Sequence, residues 1–268
     1  MLLPLGLFQL RSERGRLART CAAIATGLIL LGVVYTFSRG AALGVVLTVV
    51  AMLLLRTIRL RHLAIPAMAM IVLLLFVPAY AERLTSLSGL SSATSATPGQ
   101  TVQTYDTSIK SRTNEVLAAT LAFIDHPIIG VGPGLYPSYY LEYAQEVPGL
   151  PGQEDIESHN LYLGVAAETG LLGLCCFLGI LLIILRDLLR VRRDEAQKRP
   201  AMADLATGLA LAVVAYMSTG LFLHLAYQRY LWLLLALGAA VVTVARVQDE
   251  DQKKESSGAP VIGRAGAA

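Results

Sequence analysis

Residues 161–185, LYLGVAAETGLLGLCCFLGILLIIL, form an apolar run broken by one acidic side chain, Glu168. A bilayer core of about 30 Å takes roughly 20 helical residues, so this stretch is long enough to cross one. It is also apolar all round, unlike the one-sided helix of a soluble domain. Outward from it, similar blocks stand at 20–37, 41–55, 63–80, 205–223 and 230–245, the second and last of these being short. Across the chain 55% of residues are hydrophobic and 15% charged, whereas a soluble domain carries about a quarter charged. The expectation is an all-α, polytopic transmembrane helical bundle of about six spans. A soluble enzyme is excluded, as is a chain that is disordered throughout, and a net charge of +3 gives no reason to expect nucleic acid.

Basic residues orient the bundle, because Lys and Arg accumulate on the cytoplasmic side. With the N-terminus inside, the inner segments hold the clusters Arg11–Arg19, Arg56–Arg61, Arg186–Arg199 and Arg246–Arg264, which make 17 of the 22 Lys and Arg. The outer side keeps Arg39, Arg83, Lys110, Arg112 and Arg229. Both termini are expected in the cytoplasm. The plan is an N-terminal segment 1–19, spans over 20–80, one long outer loop 81–160, spans over 161–245 and a disordered tail 246–268. The opening MLLPLGLFQL lacks a basic start and precedes its arginines, unlike a signal peptide. It reads as an interfacial segment or as the end of a helix begun upstream. Cys21, Cys175 and Cys176 lie in apolar runs without a CxxC pair, so neither a disulfide framework nor a zinc site is indicated.

The outer loop is where a protein of this plan keeps its chemistry. Its first part, Thr85 to Ser108, has 12 Ser or Thr in 24 residues and reads as a solvated segment. From Ile109 to Ile124 the apolar Val116, Leu117, Leu121 and Ile124 recur at helical spacing, opposite Lys110, Arg112 and Glu115. That spacing predicts an amphipathic helix lying on or dipping into the outer face. Asp125-His126-Pro127 ends it. A glycine-rich turn follows, Gly130-Val131-Gly132-Pro133-Gly134, then a tyrosine cluster at Tyr136, Tyr139, Tyr140 and Tyr143. The next helix is expected near Ser158, a suitable N-cap.

His159 sits where the loop enters the fourth span. A neutral imidazole facing an aqueous pocket there suits general-base work near neutral pH; the plain alternative is a helix-start histidine bonded to a loop carbonyl. Glu168 lies roughly 13 Å deeper along a helix. An ionisable group at that depth needs a partner or a cavity, and a structural role, pairing with a neighbouring helix, is expected. Arg39 stands in the tight connection Thr36-Phe37-Ser38-Arg39-Gly40-Ala41, on the side depleted of arginine, and Arg112 on the amphipathic helix. Planar guanidinium groups suit phosphate; the alternative is anchoring to lipid headgroups. For Arg229, flanked by Tyr227, Tyr230 and Trp232, anchoring is the reading.

Other patterns fall away. Gly130 to Gly134 lacks the Gly-Lys-Ser/Thr end of a phosphate-binding loop and follows a helix. Glu154, Asp155 and Glu157 read as a solvated acidic loop. No metal site and no cofactor is expected.

Taken together, Ser38-Arg39-Gly40-Ala41, then Arg112 followed by Asp125-His126-Pro127-Ile128-Ile129-Gly130-Val131-Gly132-Pro133-Gly134, then Ser158-His159-Asn160 with Tyr162, Leu163, Glu168, Gly170 and Gly173-Leu174, carry a resemblance. In order, spacing and common side they resemble the O-antigen ligase-like superfamily of bacterial membrane glycosyltransferases, over about residues 20–245. Members usually have about twice as many spans, so the chain looks like a C-terminal half. The resemblance implies an inner-membrane enzyme that moves a glycan from an undecaprenyl diphosphate carrier to a glycan, lipid or protein acceptor on the periplasmic side. It implies His159 as the base, Arg39 and Arg112 as diphosphate ligands, inversion at the anomeric centre and no metal. Asn160, Glu168 and Arg229 would take supporting roles, and membrane lipids are further partners. Glycan polymerase and protein O-oligosaccharyltransferase belong to the same group. From another class, a transporter or a non-catalytic membrane subunit is the rival. A transporter should show charged residues near the bilayer midplane, whereas the polar signal here gathers on the outer face.

Overall fold

The computed structural model describes residues 2–12, 15–35, 39–57, 115–145, 160–223 and 228–256; the expected span 63–80 lies outside them. Among the described residues the chain is helices and turns, with no strand. The elements are α1 (Leu2–Ser12), α2 (Arg16–Tyr35), α3 (Arg39–Leu54), α4 (115–125), α5 (Tyr136–Gln145), α6 (Leu161–Glu195), α7 (Pro200–Thr219) and α8 (Arg229–Ser256). Of these, α2, α6, α7 and α8 are long and apolar enough to cross a membrane, while α3 is a shorter apolar helix. The protein is a helical, multi-pass membrane bundle.

Several boundaries differ from expectation for identifiable reasons. Helix α8 runs to Ser256, where a disordered tail was expected from residue 246. Its added turns carry Asp249, which bonds Lys198 and Arg199, so ion pairs hold a polar segment that has no apolar face. Helix α3 stops at Leu54 because Thr57 N–H donates to Met52 and Arg56 N–H to Leu53. That double bond is a Schellman cap, with Arg56 in the left-handed position at φ 53°. The tyrosine cluster proves to be helix α5.

The chain divides into two compact units. One comprises residues 1–31, 177–216 and 227–268. Here α7 is the central helix. Its most apolar window is 61% buried, against 6% for α2. Small residues make that possible: Ala203, Ala206, Ala210 and Ala212 are buried, and Gly208 admits Leu5 and Phe8 of α1. In a membrane, where lipid is as apolar as leucine, close approach of small side chains holds helices together. Beyond the apolar part, α6 and α8 are joined by Arg246 to Asp187 at 2.7 Å. Arg199, in the corner between α6 and α7, bonds Glu195 and reaches Asp249 at 3.1 Å.

The other unit comprises residues 32–176 and 217–226, and holds α3, α4, α5, the start of α6 and the turn after α7. Its core is Ala118, Ala119 and Ala122 of α4 against Tyr136, Tyr140 and Tyr143 of α5, with Ala167 of α6. Rings on alanines fit closely because the small side chains leave room for the large ones. Of the expected apolar stripe of α4, Val116, Leu117 and Ile124 are uncovered by protein, as a helix lying on the membrane face requires; Glu115, expected on the polar face, is buried instead. An amphipathic helix is present, and its protein contact is made mainly by its alanines, with Leu121 packed against the edge of that core.

Candidate functional site

The site region is built around a break in α6. Gly170 has φ 64° and ψ −168°, a combination open essentially to glycine alone. A helix broken there exposes carbonyls at the end of its first part and amides at the start of its second. The loop after α4 supplies partners to both broken ends. Val131 N–H donates to Ala167 and Gly132 N–H to Glu168, both at 2.9 Å. In return, Leu171 N–H donates to Pro127 at 2.8 Å and Leu172 N–H to Ile128 at 3.3 Å.

So close an approach of backbone to backbone leaves no space for side chains. A Cβ on Gly130 would fall on the carbonyl of Glu168, and one on Gly170 on the carbonyl of Ile128. Gly130 also lies at φ +69°. The glycine-rich turn and the Glu-Thr-Gly of the fourth span, 40 residues apart in sequence (130 against 170), are the two halves of one clasp. Pro127 ends α4 ahead of it, since proline disfavours the helical conformation in the residue before it.

Toward its start, α6 is tied down a second time. Its N-cap is Asn160, not the expected Ser158: the Asn160 Oδ1 accepts from Tyr162 N–H at 2.9 Å and Leu163 N–H at 3.0 Å. Its Nδ2 donates to the Leu221 carbonyl, and Leu161 N–H donates to Gly220 at 2.7 Å. The Tyr162 hydroxyl donates to the Met217 carbonyl at 2.7 Å. The end of α7 thus satisfies the start of α6. On the other flank, α4 begins at the buried Glu115, whose carbonyl accepts from the Tyr136 hydroxyl. Burial first, then the neighbouring Tyr140 and Glu115, push the Tyr136 phenol well above its ordinary range; burial and Glu115 do the same for Tyr140. Both stay neutral at working pH and keep their hydroxyl protons for donation, with rings edge to face at 6.2 Å.

The sequence-expected residues are distributed as follows. His159 and Arg112 lie outside the described residues, as does the side chain of Arg39, which opens α3. Asn160 caps α6, and Glu168, 1% exposed, sits at the clasp with its carbonyl bonded to Gly132. Arg229 is the exposed first residue of α8, in the other unit. Sequence reading missed Gly220, Leu221 and Met217, which hold the start of α6; the signal for them was the Thr219-Gly220 pair, a helix end followed by glycine. It also missed that Glu115 is buried.

Among the described residues no group of three or more His, Cys, Asp and Glu has the disposition of a metal site. A family model described as O-antigen ligase matches residues 24–178, more than half of the chain. The chain belongs to the O-antigen ligase family. It is a membrane glycan-handling enzyme of the ligase and polymerase superfamily. No curated protein matches it in sequence. The O-antigen ligase match starts within α2 and ends past Gly170, so both halves of the clasp fall inside it.

Proposed function

We propose that this protein transfers a glycan from a polyprenyl diphosphate carrier, undecaprenyl diphosphate in a bacterial inner membrane, to an acceptor hydroxyl on the periplasmic side. One observation carries the reading. The described segments that adjoin Arg39, Arg112 and His159, namely α3, α4 and the capped start of α6, belong to one compact unit. Arg229, read as a lipid anchor, belongs to the other.

In this reading His159 takes the proton of the acceptor hydroxyl as its oxygen attacks the anomeric carbon. The glycosidic C–O bond to the diphosphate breaks, and the electron pair leaves with the phosphate oxygen. Arg39 and Arg112 stabilise that charge where it develops, which is where positive groups lower a barrier most. Attack opposite the leaving group inverts the anomeric centre. Asn160, bonded on both faces of its amide, holds the backbone next to His159, and Glu115, tied to Tyr136, holds that near Arg112. No cofactor enters the step.

The test is transfer from a polyprenyl-diphosphate-linked glycan by the purified protein in vesicles with chelator present. Wild type should turn over, and His159→Ala should lose about three orders of magnitude, within the usual range for a general base. Arg39→Ala and Arg112→Ala should turn over more slowly or bind the donor less tightly. A folded His159→Ala protein with normal turnover would overturn the mechanism.

A further inference from the structure

We infer that the clasp loop is itself inserted in the bilayer, with Ile128 and Ile129 in contact with lipid acyl chains. The loop is bonded to α6 at Ala167, Glu168, Leu171 and Leu172, about nine residues or 13 Å along the helix from its start. Helix α6 is one of those long and apolar enough to span a membrane. A loop fixed to it at that depth lies below the level of the headgroups.

The side chains agree with this position. Ile128 and Ile129 are 70% and 72% exposed, and Leu171 and Leu172, to whose backbone they are bonded or adjacent, are 55% and 63% exposed. Ile124, Val116 and Leu117 extend the same uncovered character along α4. The surface is thus continuous with the flank of a membrane-crossing helix, and bilayer hydrocarbon is the occupant it fits.

Non-helical backbone at membrane depth needs its polar groups paired within the protein. That is what the reciprocal bonds of the clasp provide, together with Gly130 N–H to His126 and Leu135 N–H to Gly132. The inference stands apart from the transfer chemistry, since it concerns only where the loop sits.

A cysteine-free background, with Cys21, Cys175 and Cys176 replaced by alanine, allows bimane labelling at Ile128→Cys, Ile129→Cys and Val116→Cys. These side chains are exposed, so the substitutions leave the packing intact. Glu142→Cys on α5 is the aqueous reference. The protein is reconstituted in phosphatidylethanolamine and phosphatidylglycerol vesicles with acyl-chain nitroxide lipid. At 128 and 129 the nitroxide should quench severalfold more than aqueous iodide does, with blue-shifted emission, and the order should reverse at 142. Iodide quenching at 128 and 129 equal to that at 142 would overturn the inference. Protection from both quenchers would also overturn it, by showing that protein covers the loop.

Discussion

Two joints in this molecule are made in opposite ways. At Gly170, broken helix ends are satisfied by the backbone of another segment, and two glycines are needed for the approach. At the corner between α6 and α7, the Arg199 guanidinium links Glu195 at the end of α6 to Gln248 and Asp249 of α8, so the link to α8 is made by side chains. The first joint has no side chain that can be exchanged for a similar one, and no charge for salt to screen. The second is built from charges, some half-exposed, that can be swapped or weakened one at a time. A backbone joint is therefore all-or-none, and a charged joint is graded.

The largest expected effect breaks the first joint. Gly170→Ala combines a forbidden backbone region, about 1–3 kcal/mol, with the separation of bonds worth about 1 kcal/mol each. Denaturant unfolding in detergent should show a loss of about 4 kcal/mol or more. Gly27→Ala, where an added Cβ meets nothing, should be neutral or stabilising by about 1 kcal/mol. Equal effects at the two glycines would dissolve the contrast.

Next in size is Arg199→Ala. Glu195 is 1% exposed, and stripping a buried carboxylate of its partner costs about 3 kcal/mol. Arg199→Ala with Glu195→Gln should recover a large part of that, because the stranded charge is gone. No comparable second substitution should rescue Gly170→Ala.

The tyrosines of the α4–α5 core sharpen the comparison at lower cost. Tyr136→Phe removes a hydroxyl bonded to the Glu115 carbonyl and should cost about 1 kcal/mol. The Tyr140 hydroxyl is buried with no hydrogen-bond partner among the described residues, so Tyr140→Phe should cost nothing or stabilise slightly. Both phenols are raised by burial, so the unfolded chain ionises before the folded one. Their contribution is complete below the ordinary phenol value of about 10 and is lost as pH rises through the folded values. Thermal unfolding should therefore shift downward between about pH 9 and about pH 11, and less so in Tyr136→Phe.

The smallest effect belongs to Lys198→Ala. Its pair with Asp249 is 53% and 29% exposed, and such pairs contribute about 0.5 kcal/mol. High salt should erase the difference from wild type.

What the sequence made legible follows the same division. Apolar length exposed the spans at 20–37, 161–185, 205–223 and 230–245, since hydropathy is summed over many residues. The break at Gly170 was hidden, because one glycine in an apolar run costs only about 1 kcal/mol in a helix. What breaks the helix there is a partner loop remote in sequence. The packing face of α4 was hidden for a related reason: its contact is made by alanines against tyrosines remote in sequence, and Glu115, read as a polar-face residue, is buried beside them. The tail beyond Arg246 looked unstructured because its pairing to Lys198 and Arg199 is invisible to periodicity. Of the candidate site, position and side-chain chemistry singled out His159, Arg39 and Arg112, the resemblance gave them their proposed roles, and what the structure adds is the capping of α6 at Asn160 and the burial of Glu115.

The central structural claim is that the 127–132 loop and the 167–172 stretch form one backbone unit. Hydrogen exchange at the Val131 and Gly132 amides in reconstituted protein tests it most directly. The account predicts protection as strong as that of the amides of α6, lost in Gly170→Ala. Exchange at the rate of a free surface loop in the wild type would contradict it.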